Sequence, residues 1–158
     1  VKEYLPRAVK TGSDIEARAM LMAAAAMGAT AFQKGLGAIH SLSHPVGSLH
    51  GTHHGMTNAV FTPYVLVFNR AAIEPRIERL SAYLGLRPSF EAFLEWVLAL
   101  RGEIGVPHTL VAFGVPLDKA DQVAEMALRD PTAGSNPVAL TKESLRGIFD
   151  AAASGELA

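Results

Sequence analysis

Cysteine is absent from this 158-residue chain, which removes disulfide staples and thiolate metal ligands and agrees with a reducing, cytoplasmic setting. Any metal bound here has to be held by nitrogen and oxygen. An excess of one charge is missing as well. Fourteen basic against fifteen acidic side chains leave a formal charge of −1, too little to build the basic field that nucleic acid or an anionic lipid surface requires. Long apolar runs are scarce: the longest, MLMAAAAMGATAF at 20 to 32, is short and alanine-rich for a bilayer span, so no membrane-crossing segment is expected. The opening VKEYLPRAVKTG lacks the basic-then-apolar order of a signal peptide and reads as the tail of a helix that starts upstream. Alternating β-branched runs do not occur, so the ordinary strand signal is gone too.

What remains has helical period throughout, and the pattern predicts one all-helical domain over residues 1–158. A first helix follows the N-cap pair Ser13-Asp14 and runs to Lys34-Gly35, its alanine-rich second half apolar on every side and so expected to be buried all round. A second covers Ala38 to Gly47. A third begins after Gly51-Thr52, with Thr52 as its cap, and ends near Asn69-Arg70. Pro45 and Pro63 lie inside these two and each deletes an i to i−4 hydrogen bond. Further helices are predicted over Ile73 to Leu84, Ser89 to Ile104, Leu117 to Leu128 and Thr141 to Ala153, with VPHTLVAFGVP and DPTAGSNP as loops. With 49% apolar residues, some of the surface is expected to face another piece of protein.

Five of the six histidines fall within HSLSHPVGSLHGTHHG, residues 40 to 55. Imidazole ligates transition metals and exchanges protons near neutral pH, so the spacing inside this stretch decides what it can do. His40 and His44 are four apart and share a helix face. His54 follows ten residues later at a helix start, where the partial positive charge of the helix end disfavours imidazolium and keeps the ring ready to donate a lone pair. His50 and His53 fall in or beside the turn and read as solvated or capping residues. Spacing alone leaves open which of His40 and His44 would pair with His54. No carboxylate lies between Glu16 and Glu74, so a complete shell needs a ligand from a distant segment or from outside the chain. GLGAIH at 35 to 40 follows a helix instead of a strand and is not a dinucleotide fingerprint.

The stretch GLGAIHSLSHPVGSLHGTHHGMTNAVFTPYVLVFN, 35 to 69, resembles the signature of the iron-containing alcohol dehydrogenases: G-x-x-H-x-x-x-H-P-x-G, then H-G-x-x-N-A and a proline-containing helix. Similarity continues through IGVP, FGVP and GSNP. The resemblance implies the C-terminal all-helical, metal-binding half of such an enzyme, with an N-terminal nucleotide-binding domain elsewhere in the parent. It implies a divalent metal, iron or in some members zinc, held in part by His40 and His54. His44 would lie beside the nicotinamide of NAD or NADP and relay the hydroxyl proton. Two further ligands, an aspartate and a histidine four apart, belong to a segment not present in this sequence. The parent would interconvert an alcohol and an aldehyde or ketone as a homo-oligomer, and this chain alone would be inactive. Phe32 reads as an ordinary core phenylalanine ahead of a pocket residue, and Lys34 as a helix-ending or anion-contacting side chain. Two other readings stand beside this one. A metal-dependent helical hydrolase generally needs adjacent His-Asp pairs, and none occurs. A non-catalytic helical interaction module would use its histidines only to pack and cap.

Overall fold

A computed structural model describes residues 1–157, and within them the backbone forms helices with no strand. The helices are α1 (Tyr4–Lys10), α2 (Ile15–Ala31), α3 (Ala38–His50), α4 (His54–Tyr83), α5 (Phe90–Glu103), α6 (Ala120–Arg129) and α7 (Lys142–Ser154), with 3-10 turns at Phe32–Lys34 and Ala133–Ser135. Local chemistry sets most of the boundaries. The Asp14 carboxylate accepts from Ala17 N at 3.0 Å and the Ser89 hydroxyl from Ala92 N at 3.1 Å, each satisfying an orphan donor of a first turn. Thr141 and Ser144 form a reciprocal capping box at the start of α7.

The core follows from the apolar stripes of α3, α4, α6 and α7, which close on one another around fully buried Leu42, Val46, Val60, Phe61, Val123, Leu145 and Phe149. A smaller cluster, Ile77, Phe90, Phe93 and Val97, lies between the far end of α4 and α5. The 30-residue α4, about 45 Å long at 1.5 Å per residue, serves both clusters and is their common spine.

Three expectations need correction. The predicted break near Asn69-Arg70 is absent, and α4 continues through both Pro63 and Pro75. Ala71 and Ala72 favour helix, the Arg70–Glu74 pair bridges one turn, and packing on both sides outweighs the single bond each proline removes. The helix predicted from Leu117 starts instead at Ala120. The third concerns α2, expected to be buried all round: only Ala17 is buried, while Ile15, Met20, Met22 and Met27 are exposed. Among the described residues its main helical neighbour is α1, and most of its apolar surface is left uncovered. Counted from Ile15 through the 3-10 turn to Lys34, this segment has 20 residues and contains an 18-residue window of mean hydropathy 1.2, enough to cross a membrane by length and composition only.

Candidate metal and cofactor site

The site is built on the first turns of α3 and α4. Gly37, the N-cap of α3, has no side chain with which to cap, and the orphan donors are satisfied from almost a hundred residues away. Ser135 Oγ accepts from Leu36 N and Gly37 N at 3.1 and 3.2 Å, and Asn136 Oδ1 accepts from Ala38 N at 3.1 Å. Gly35 permits the approach: its φ is +99°, and a Cβ there would collide with Ser135. Asn136 is itself locked to Asn69 of α4 by reciprocal amide bonds of 3.0 and 2.8 Å. His40 and His44 follow one turn apart. Gly51, in the left-handed region at φ +66°, ends α3 and turns the chain directly into α4. The cap there is His53, not the predicted Thr52. Its Nδ1 accepts from Met56 N at 3.3 Å, while Thr52 instead pairs its hydroxyl with that of buried Thr57 at 2.8 Å. These contacts set His54 in the first turn of α4.

The turn brings three of the five clustered imidazoles together. Ring centroids lie 5.2 Å apart for His40 and His54, 5.4 Å for His44 and His54, and 5.8 Å for His40 and His44. Nε2 of His40 and Nε2 of His54 both face the Asn58 amide nitrogen, at 3.3 and 3.0 Å. Two imidazole nitrogens fourteen residues apart therefore converge on one small volume. Burial, followed by the neighbouring His54 and His44, holds the pKa of His40 below the ordinary histidine value and favours the neutral, lone-pair-bearing ring. The other ring nitrogen of His40 and the Asn58 carbonyl oxygen are buried without a partner. His50 and His53 lie outside this convergence, His53 as a cap and His50 half-buried at the end of α3. Phe32 is not the core residue expected: it is 53% exposed and stands edge-on to His40 with centroids 6.0 Å apart. Lys34 is exposed at the end of its 3-10 turn.

One residue escaped the sequence reading. Asp130, at the end of α6, places Oδ2 2.8 Å from His44 Nδ1. Burial pushes its carboxyl pKa up, but bonds from the Thr132 hydroxyl and backbone and from His44 outweigh that and hold it below the usual carboxylate value. Its 86-residue separation from His44 leaves no local pattern, and the only signal was an acidic residue in a predicted loop.

Residues 1–153 match the sequence profile of the Fe-containing alcohol dehydrogenase family, C-terminal. The chain belongs to that family. It is 40% identical over 144 residues to a 4-hydroxybutyrate dehydrogenase of Cupriavidus necator, a match covering 85% of this chain and 37% of that protein. A NAD-dependent methanol dehydrogenase of Bacillus methanolicus is 34% identical over 157 residues, covering 94% of this chain and 41% of its own. Among solved structures, a 1,3-propanediol oxidoreductase superposes with a TM-score of 0.90 at 30% identity over 96% of this chain and 42% of that one. The chain thus spans about two fifths of the length of these iron-containing dehydrogenase relatives. Its all-helical architecture matches the corresponding part of that fold.

Set against a metal, the donor set is half of a shell. Among the described residues no three His, Asp or Glu side chains form a metal-holding group. Asp130, the carboxylate that touches the cluster, is committed to His44 and Thr132. The two converging nitrogens, one on His54 and one on a neutral-favouring His40, nevertheless suit a nitrogen-ligated divalent ion.

Proposed function

We propose that this chain is the helical, metal-binding part of an iron-dependent, NAD(P)-linked dehydrogenase that interconverts an alcohol and an aldehyde or ketone. The observation that carries this reading is the convergence of His40 and His54 Nε2 on the Asn58 amide in a chain whose family membership implies a divalent metal and a nicotinamide cofactor. His40 and His54 hold the metal, iron first and zinc as its substitute. The chemistry a bound divalent ion supplies is Lewis acidity toward an alcohol or carbonyl oxygen, with the nicotinamide as hydride carrier. His44 stands between the two ligand histidines and Asp130 and handles the hydroxyl proton next to the nicotinamide. Phe32 contributes an apolar edge beside His40.

In this reading residues 1–158 act as one helical domain, and the remaining ligands, an aspartate and a histidine, come from the part of the relatives that this chain does not span. A nucleotide-binding domain from the same part covers the exposed face of α2, the assembly is a cytoplasmic homo-oligomer, and the chain alone transfers no hydride. The test is titration of the chain with Co2+ alone, read by its d–d absorption. One weak equivalent is expected, lost in both His40→Ala and His54→Ala and kept in His50→Ala. No cobalt spectrum from the wild-type chain, or equal binding by the His40 and His54 variants, would overturn the proposed ligand pair.

A further inference from the structure

We propose that Asp130 is a positioning residue for His44, holding the ring as its Nδ1–H tautomer so that Nε2 carries the free lone pair. The bond between them is short, 2.8 Å, and its two ends differ in exposure: the Asp130 side chain is 13% exposed and that of His44 41%. The carboxylate is therefore the anchored member and the imidazole the member that reaches outward. Its anchorage is specific. Asp130 Oδ1 accepts from Thr132 N at 2.8 Å and from the Thr132 hydroxyl at 2.6 Å, so the carboxylate cannot rotate away from His44 without giving up both bonds. Asp130 N donates to Ala127 O at 3.2 Å, and Pro131 restricts φ immediately after it. Ala127 and Leu42 belong to one buried cluster, so α6 and α3 carry the two partners as a packed unit.

The chemistry then selects the tautomer. An ionised carboxylate only accepts, so the hydrogen in the bond is the one on imidazole Nδ1. Free histidine favours the opposite arrangement, with hydrogen on Nε2. The face of the His44 ring is occupied by His54, stacked at 16° between planes, and Nε2 makes no hydrogen bond to another described residue. The consequence rests on the proposed reading of His44 as the proton-handling group. With Nδ1 committed to Asp130, the ring is held in one orientation and the Nε2 lone pair is available to a hydroxyl proton without any movement of the ring.

The test is long-range 1H–15N NMR of the metal-free 15N-labelled chain, kept in chelator at a pH where imidazole is neutral. In the wild type the His44 signals are expected to show a protonated Nδ1 and a bare Nε2. Asp130→Ala should shift His44 toward Nε2–H, and Asp130→Asn should do the same, because its amide oxygen stays with the two Thr132 donors and turns the Nδ2 donor toward His44 Nδ1. A brace that served stability alone would leave the tautomer unchanged in Asp130→Ala. That result, or a wild-type His44 carrying its hydrogen on Nε2, overturns the proposal, and the wild-type spectrum decides even if the alanine variant does not fold. The outcome is separable from the metal reading. Nδ1–H at His44 with no cobalt bound would sink only the ligand pair, and cobalt bound with Nε2–H at His44 would sink only the role of Asp130.

Discussion

Replacing Asn136 with alanine should loosen the start of α3 more than any neighbouring substitution, and the loss can be worked out from its bonds. Oδ1 caps Ala38 N and accepts from Asn69 Nδ2, while Nδ2 donates to Asn69 Oδ1 and Val138 O. Loss of the cap alone costs about 1 kcal/mol. The larger part comes from Asn69, which is 6% exposed and would be left with an unpaired amide inside the fold, worth a further ~1–3 kcal/mol. The total, about 2–4 kcal/mol, should appear as a lower urea midpoint at unchanged slope in denaturation followed by helical circular dichroism. For a chain of this size the melting temperature should fall by roughly 2–4 °C per kcal/mol. A double-mutant cycle sharpens the test: once Asn136 is alanine, Asn69→Ala should cost at least ~0.5 kcal/mol less than it does alone, because the partner is already gone. A loss below ~0.5 kcal/mol for Asn136→Ala, or strict additivity with Asn69→Ala, would refute the claim that this amide pair ties α3 to α4.

Gly35→Ala should destabilise the chain by more than ~2 kcal/mol, since it adds both a strained positive φ and a collision with Ser135, whereas Gly28→Ala, exposed within α2 and meeting nothing, should stabilise by ~0.5–1 kcal/mol; urea midpoints of the two variants should move in opposite directions. Asp130 has a depressed folded pKa, so its contribution is present above the unfolded carboxyl value of about 3.9 and is lost as pH falls through the lower folded value; the stability gap between wild type and Asp130→Asn, followed from pH 6 to 2.5, should shrink at the acid end of that range and not near neutrality. Arg101 is buried, donates from Nη2 to Pro107 O and His108 O, and leaves Nε and Nη1 unpartnered. Removing that charge with Arg101→Met should cost less than ~1.5 kcal/mol, and a loss above 3 kcal/mol by thermal melting would show that the guanidinium is better compensated than these contacts indicate.

Local signals recovered most of the helices because capping and period are short-range. Asp14, Ser89 and Thr141 each act within three residues of their own position, and their helices lie close to where the pattern puts them. Failures arose where distant packing decided. Nothing around Asn69-Arg70 says that α5 will shore up a helix through Pro75. Nothing in the alanine block of α2 says whether a neighbour exists to cover it, so an all-round apolar helix read as buried when in this chain it is exposed. At the site, the pairing of His40 with His54 was open on spacing alone, and resemblance to the family selected it. The convergence of both rings on Asn58 depends on the turn at Gly51, which a linear pattern describes only loosely.

By itself the sequence determined an all-helical chain, the absence of any thiolate donor, and a histidine cluster with the family's spacing. These are properties of composition and of neighbours a few residues apart, which the backbone cannot alter. Tertiary structure alone decided that Asp130 meets His44, that Ser135 and Asn136 cap α3, and that Phe32 stands against His40. Each joins segments between 8 and about 100 residues apart, and such meetings are set by how the helix faces close on a shared core, a global minimum that no local window of the chain contains.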